Sequence, residues 1–377
     1  MIRSSLIVLI GILNLSLPQT PLQQPAGSGA GRVPVASSAS GSQPIQLGGA
    51  VPQGFMILGE NSNSPPGYTF NGDYLTVRTG ENPSWSSGPS MPGGMYRPAV
   101  VQVGTDIYVL GGSNGSYLNT VWKLESETNT WTLETTMPTP REGLFAAEVG
   151  GKIYAIGGEV STNVPTAVVE AYDLGSQTWD NPPPTPLPSA RAYLTGGVVN
   201  GRIYAIGGTA GAAVQNLNQE YDPASNTWTS RASMLTPRGA SAGATLNGRI
   251  FVIGGWSGSA YVGTNEAYDP ATNSWKPKAS MLNPRGFLGV AHANARIYAM
   301  GGQQSGSILW TDVVEEYEPL YDHWTQIQPM TTARSLLGAA APSGKVMAIG
   351  GLAAAGYSPT VDVYCPGFRM LFAHRKN

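Results

Sequence analysis

The 377-residue sequence carries one cysteine, three histidines and few charges. A single thiol, Cys365, excludes an intrachain disulfide and a structural zinc site. His292, His323 and His374 are scattered without ligand spacing, which excludes an imidazole-built metal centre. Charged residues make up 12% of the chain and the net formal charge is −2, so nothing here attracts nucleic acid or an anionic membrane. The chain lacks a G-x-S-x-G elbow, a phosphate-binding glycine loop and a long amphipathic helix. No apolar run is long enough to span a bilayer. Serine-nucleophile, nucleotide and metal chemistry fall away, and no cofactor is expected.

Glycine and proline are plentiful instead, at 49 and 30 residues, which suits a turn-rich all-β protein. An internal repeat organises most of the chain. A second-strand motif reads IYVLGG at 107–112, IYAIGG at 153–158 and IYAIGG at 203–208. It continues as IFVIGG at 250–255, IYAMGG at 297–302 and VMAIGG at 346–351. The first five copies are followed by Trp131, Trp179, Trp228, Trp275 and Trp324. All six are preceded by an arginine: Arg97, Arg141, Arg191, Arg238, Arg285 and Arg334. No unit of this size buries a core alone, so neighbouring units must stack. The tryptophans are expected to fill the gaps between them.

Residues 97–364 resemble the kelch-repeat family, in its secreted bacterial form. The resemblance implies a β-propeller with four antiparallel strands per blade. The last unit has no tryptophan after it, whereas Trp85 stands near the start without a repeat of its own. A strand around Trp85 is therefore expected to complete the last blade and close a six-bladed ring. A seven-bladed alternative treats 47–60 as a worn repeat, with 73–77 as its third strand and 368–372 as its outer strand.

The expected organisation is a signal peptide over 1–17, a flexible low-complexity linker over 18–44, the propeller over 45–366 and a loose tail over 367–377. Residues 1–17 combine an early Arg3 with a short apolar run, the pattern of a secretory signal; an uncleaved N-terminal anchor is the alternative. A secreted, periplasmic or envelope location follows. The absence of disulfides fits a bacterial exterior better than a small secreted animal domain.

Varied loops on a repeated scaffold are where binding usually resides. If the six arginines gather at one mouth of the channel, their planar donors suit a carboxylate. The alternative is that they brace adjacent loops through backbone carbonyls. Loops after the double glycines add Tyr117, Trp256, Tyr261, Trp310 and Tyr357, which suit a sugar ring or a peptide backbone, or else pack on their own loops. The recurring Glu170, Glu220, Glu266 and Glu316 read as parts of the repeat. The leading expectation is a monomeric binding module for a protein or glycan, possibly anionic, with no catalytic residue assigned. The resemblance also admits a cofactor-free carbohydrate enzyme of the sialic-acid mutarotase type, with Glu142 as base, or a propeller that merely displays loops. Galactose oxidase, a copper enzyme on kelch repeats, needs ligands that nothing here supplies.

Overall fold

The computed structural model describes residues 83–305 and 309–366, with strands 68–71, 74–79 and 368–373. The chain divides into two units: Ser84–Pro366, and Met1–Pro83 with Gly367–Asn377. The first is a six-bladed β-propeller of four-stranded antiparallel sheets. The propeller unit thus begins at Ser84, short of the 45–366 span expected. The proposed signal peptide and linker lie outside the described residues.

Blade three shows how each blade is built. Its strands are Thr195–Val199, Arg202–Ile206, Asn218–Asp222 and Thr227–Arg231, ordered from the channel outward. Asn200 and Gly201 make the first turn with φ of 51° and 71°, the two positive values a tight right-twisting hairpin needs. Ile203, Ala205 and Ile206 are fully buried because the second strand is covered on both faces by neighbouring blades. Its interface with blade two joins Tyr154 and Ile156 to Leu194, Ile203 and Tyr221 in one cluster.

The double glycines mark where this strand leaves the core. A Cβ on Gly207 would meet the Arg238 carbonyl oxygen at 2.7 Å, and one on Gly208 the Ala192 carbonyl oxygen at the same distance. Both residues also have positive φ, so no other residue type fits.

Ring closure follows the expected route. Trp85–Ser87 pairs antiparallel with Val361–Tyr364, completing a sheet begun by Gly338–Ala340 and Val346–Ile349. The Trp85 ring lies 5.2 Å from that of Tyr364. Its indole donates to the Gln328 carbonyl at 2.9 Å, beyond the outer strand of blade five. The other outer-strand tryptophans do the same. Trp131, Trp228, Trp275 and Trp324 donate to the carbonyls of Pro89, Thr185, Ala232 and Ala279, and Trp179 to the Thr135 hydroxyl. Each indole fastens its blade to the one before.

The seven-blade alternative fails because blade six meets blade one directly: the Arg97 amide donates to the Leu336 carbonyl at 2.8 Å. Its worn repeat at 47–60 lies outside the described residues, and its other two strands belong to a three-stranded sheet in which Tyr74–Thr79 lies between Tyr68–Asn71 and Phe368–Ala373. Residues 368–373 of the expected tail therefore form a strand.

Candidate functional site

The innermost strands begin at one mouth of the channel, in a ring made by the backbone. Arg97, Gly143, Tyr193, Ala240, Phe287 and Leu336 occupy equivalent positions, all with φ between 52° and 59°. Each amide donates to the carbonyl of its counterpart in the preceding blade, at 2.7–3.0 Å, and the circuit returns to its start. One position earlier, a residue of each blade bridges to the residue after its double glycine, as in Glu142 with Glu159 and Gly239 with Trp256. The backbone repeats six times. The side chains do not, and that difference makes the site.

The register corrects the reading of the arginines. Arg141, Arg191, Arg238, Arg285 and Arg334 each stand 17 residues before the second glycine of their blade, whereas Arg97 stands 15 before Gly112. Met95 occupies the repeat position: its carbonyl receives the Gly351 amide as the Arg141 carbonyl receives that of Gly112. Arg97 belongs instead to the mouth ring.

The five repeat arginines are fully buried, so they do not line the mouth. Each guanidinium reaches a carbonyl 14 residues on, in the second strand of its blade, from Ala155 to Ala348. Each also meets a third-strand side chain. Arg141 bonds Glu170 at 2.7 Å, Arg334 bonds Asp362 at 2.8 Å, Arg238 approaches Glu266 at 3.6 Å, and Arg285 is paired closely with Glu315. Burial lowers all five; Arg141, Arg191 and Arg238 come down to about 10, which leaves these three charged at neutral pH. They are braces. Glu220 and Glu316 do not share this position with Glu170 and Glu266: they pair with Arg231 and Arg296.

At the mouth, Arg97 keeps 27% of its side chain exposed and gathers an asymmetric cluster. Its Nη1 donates to the Glu142 carboxylate and, at 2.9 Å, to the Tyr193 hydroxyl. Tyr193 in turn donates to Glu159. Burial alone would lower Arg97, but Tyr193 and Glu142 together hold it above its usual value. Burial pushes the Tyr193 phenol up, with the Glu159 hydrogen bond adding to the shift, so it stays a neutral donor. The Arg97 guanidinium lies over the rings of Tyr96 and Tyr193 at 5.1 Å and of Phe287 at 5.7 Å. Such contacts strengthen where water is partly excluded. Just inside lies a cavity of about 100 Å³.

The aromatic loops extend this cluster unevenly. Tyr357 is 44% exposed and stacks on Tyr96, with ring centres 5.2 Å apart. Tyr261 packs against Trp256 and Phe287, and donates to Gln303 Oε1 at 2.5 Å. Trp256 and Tyr261 also bridge within their own loop, and Tyr117 bridges to Ser113 in the same way. Trp310 is half-buried. Glu142 is a partner of Arg97 rather than a free base. Sequence reasoning missed Tyr193 and Phe287, which stand in the ring, and Tyr96 and Glu159, which stand in the bridges beside it. Among the described residues no group of histidine, cysteine and carboxylate side chains converges as a metal site. No described helix is long and apolar enough to cross a membrane.

Residues 53–235 and 97–281 match the model of the KLHDC2/KLHL20/DRC7 Kelch-repeats domain, which together is more than half of the chain. The chain belongs to the kelch-repeat family. It is similar to the F-box/kelch-repeat protein At4g19870 of Arabidopsis thaliana, with 36% identity over 85 residues, covering 22% of this chain and 21% of that one. It is also similar to the Kelch-like protein terF of Aspergillus terreus, with 32% identity over 117 residues, covering 27% and 23%. The match thus spans about a fifth to a quarter of these two relatives' length. The solved structure of YjhT superposes with a TM-score of 0.63 at 16% identity, covering 73% of this chain and 95% of that one, which shows a shared fold.

Proposed function

We propose that this kelch propeller is a protein-binding module whose contact surface is the loop-bearing face around Arg97. The observation that carries this is that five of the seven large hydrophobic side chains left exposed among the described residues lie in loops on one side, Leu133 and Leu320 being the exceptions. Val164, Leu309 and Tyr357 lie in loops after the second strands, and Leu235 and Leu282 in loops leading into the next blade. Both kinds of loop open on the same side of an up-and-down blade, so these five exposed side chains ring the mouth. Exposed apolar side chains gathered on one face of a protein mark an interaction surface. Arg97 and its aromatic neighbours supply the anchor residues typical of binding hot spots.

A glycan is the second reading, favoured by the exposed Tyr357 ring stacked beside Arg97, an apolar face next to a hydrogen-bonding group. The narrower idea of a sugar acid, and of mutarotase-type catalysis upon it, rests on Arg97 alone, since the repeat arginines are buried. We further place the protein outside the cytoplasm, on the signal-like pattern of residues 1–17.

A photo-crosslinking residue at Leu282, compared with one at Leu320 in a turn on the opposite face, tests the main reading. Adducts with one protein species from position 282, competed by unlabelled wild type and absent from position 320, are expected. Adducts from 320 alone would refute it. A glycan array probed with wild type and Tyr357→Ala tests the second reading; no signal dependent on Tyr357 eliminates it.

A further inference from the structure

The other end of the channel opens into a funnel of about 430 Å³, walled mostly by glycine, alanine and valine of the innermost strands. One register of those strands breaks the pattern. Gln102, Glu148, Val198, Thr245 and His292 each pair with the first isoleucine of the next strand, Ile107, Ile153, Ile203, Ile250 and Ile297. They form one layer around the axis, and all five line the funnel. Glu148 of blade two and His292 of blade five stand on opposite walls of the six-fold ring.

Charge sets the chemistry of this layer. Glu148 carries the one formal negative charge of the lining, and no lysine or arginine lines the funnel. Glu148 Oε1 accepts the Gly151 amide at 2.9 Å, and no cation pairs with this carboxylate among the described residues. The His292 side chain is exposed to the channel, yet its crowded walls strip away enough water to hold the imidazole below its usual range, so it is neutral at pH 7 and leaves the Glu148 charge uncompensated. Low-dielectric walls focus such a field along the opening. Val100, Phe145 and Val290 give the same space apolar sides.

We infer that the funnel binds a small aliphatic ammonium ion, with the cationic head on Glu148 and the alkyl body along Val100, Phe145 and Val290. Anions meet the unopposed carboxylate and are repelled. Neutral alcohols of the same size lose the charge-assisted hydrogen bond, which is about twice as strong as a neutral one. The site is separate from the loop-bearing face and does not depend on what that face binds.

The test uses propylammonium chloride, with 1-propanol and sodium propionate as matched controls, against the full-length protein. The readout is the His292 imidazole resonance, assigned by its loss in His292→Gln. Propylammonium should shift it saturably while the controls do not. Glu148→Gln should weaken binding by about tenfold or more, and Glu127→Gln, on an exposed turn, should leave it unchanged. Val198→Lys, which places a cation in the layer beside Glu148, should abolish binding even if Glu148→Gln folds poorly. No saturable shift, an equal shift with propanol, or wild-type affinity in Glu148→Gln would overturn the inference.

Discussion

Met95 and Trp122 stand in blade one where the later blades carry a buried arginine and its third-strand partner. Both pack into one apolar cluster with Met91, Ile349 and Val361. The same fold position therefore accepts a buried ionic brace or a hydrophobic pair, as expected when desolvation offsets most of the attraction between buried charges. What such a site does not tolerate is half a pair.

Arg238→Ala should therefore be far more damaging than Arg97→Ala. The first leaves the Glu266 carboxylate buried without its counter-charge and takes a donor from the buried Val252 carbonyl, at a cost of about 3–5 kcal/mol. The second leaves the Glu142 carboxylate without its partner, but the part-exposed Arg97 position lets water reach it, so it should cost less, about 1–2 kcal/mol. Urea unfolding of both variants checks the order, and equal midpoints would contradict it.

Arg191 is the odd brace, because its third-strand partner is the neutral Gln219, bonded at 2.6 Å. Burial without a carboxylate is what lowers Arg191. Gln219→Glu supplies the missing charge in a geometry the other blades already use, and should raise stability by about 1 kcal/mol. An unchanged or lower melting temperature would show that this site cannot reorganise to pair the charge.

Trp324 is 2% exposed and fastens blade five to blade four, so Trp324→Ala should cost about 3–5 kcal/mol. Trp85→Ala removes less buried area but loosens the strand that closes the ring. It should lower the melting temperature and promote self-association through the freed edge of Val361–Tyr364. Sedimentation of the variant as a stable, unaggregated monomer would argue that closure does not rest on Trp85.

His292 supplies a pH signature. Above the ordinary imidazole value of about 6.5 both folded and unfolded chains are neutral there, so the residue contributes no pH dependence. As pH falls through that value the unfolded chain takes up a proton that the folded channel resists. Stability is lost from that point down to the depressed folded value. The difference in urea midpoint between wild type and His292→Gln should accordingly change between pH 7.5 and 5.5, with wild type losing more. A constant difference would place the imidazole in an ordinary aqueous setting.

The repeat was legible in the sequence because each of its parts answers a backbone demand. The double glycine fits against a carbonyl, the arginine caps buried carbonyls, and the tryptophan reaches the preceding blade. Closure was legible for the same reason, since Trp85 lacked a repeat and the last repeat lacked a tryptophan. The mouth was not. Tyr193, Phe287 and Arg97 share a backbone position but no chemistry, so no motif marks them. The Arg97 side chain also resembles the repeat arginine two positions away, which hid the break in register at Met95. Glu142 and Glu159 come together through one backbone bridge, which residue spacing does not reveal.

Five arginines are internal braces, and Arg97 alone among the six keeps its guanidinium open at the mouth. Arginine-selective modification of the folded protein by phenylglyoxal, mapped by mass spectrometry over time, tests this division most directly. Arg97 should react while Arg141, Arg191, Arg238, Arg285 and Arg334 stay protected until the protein unfolds. Modification of those five at a rate matching Arg97 in the folded state would contradict the account.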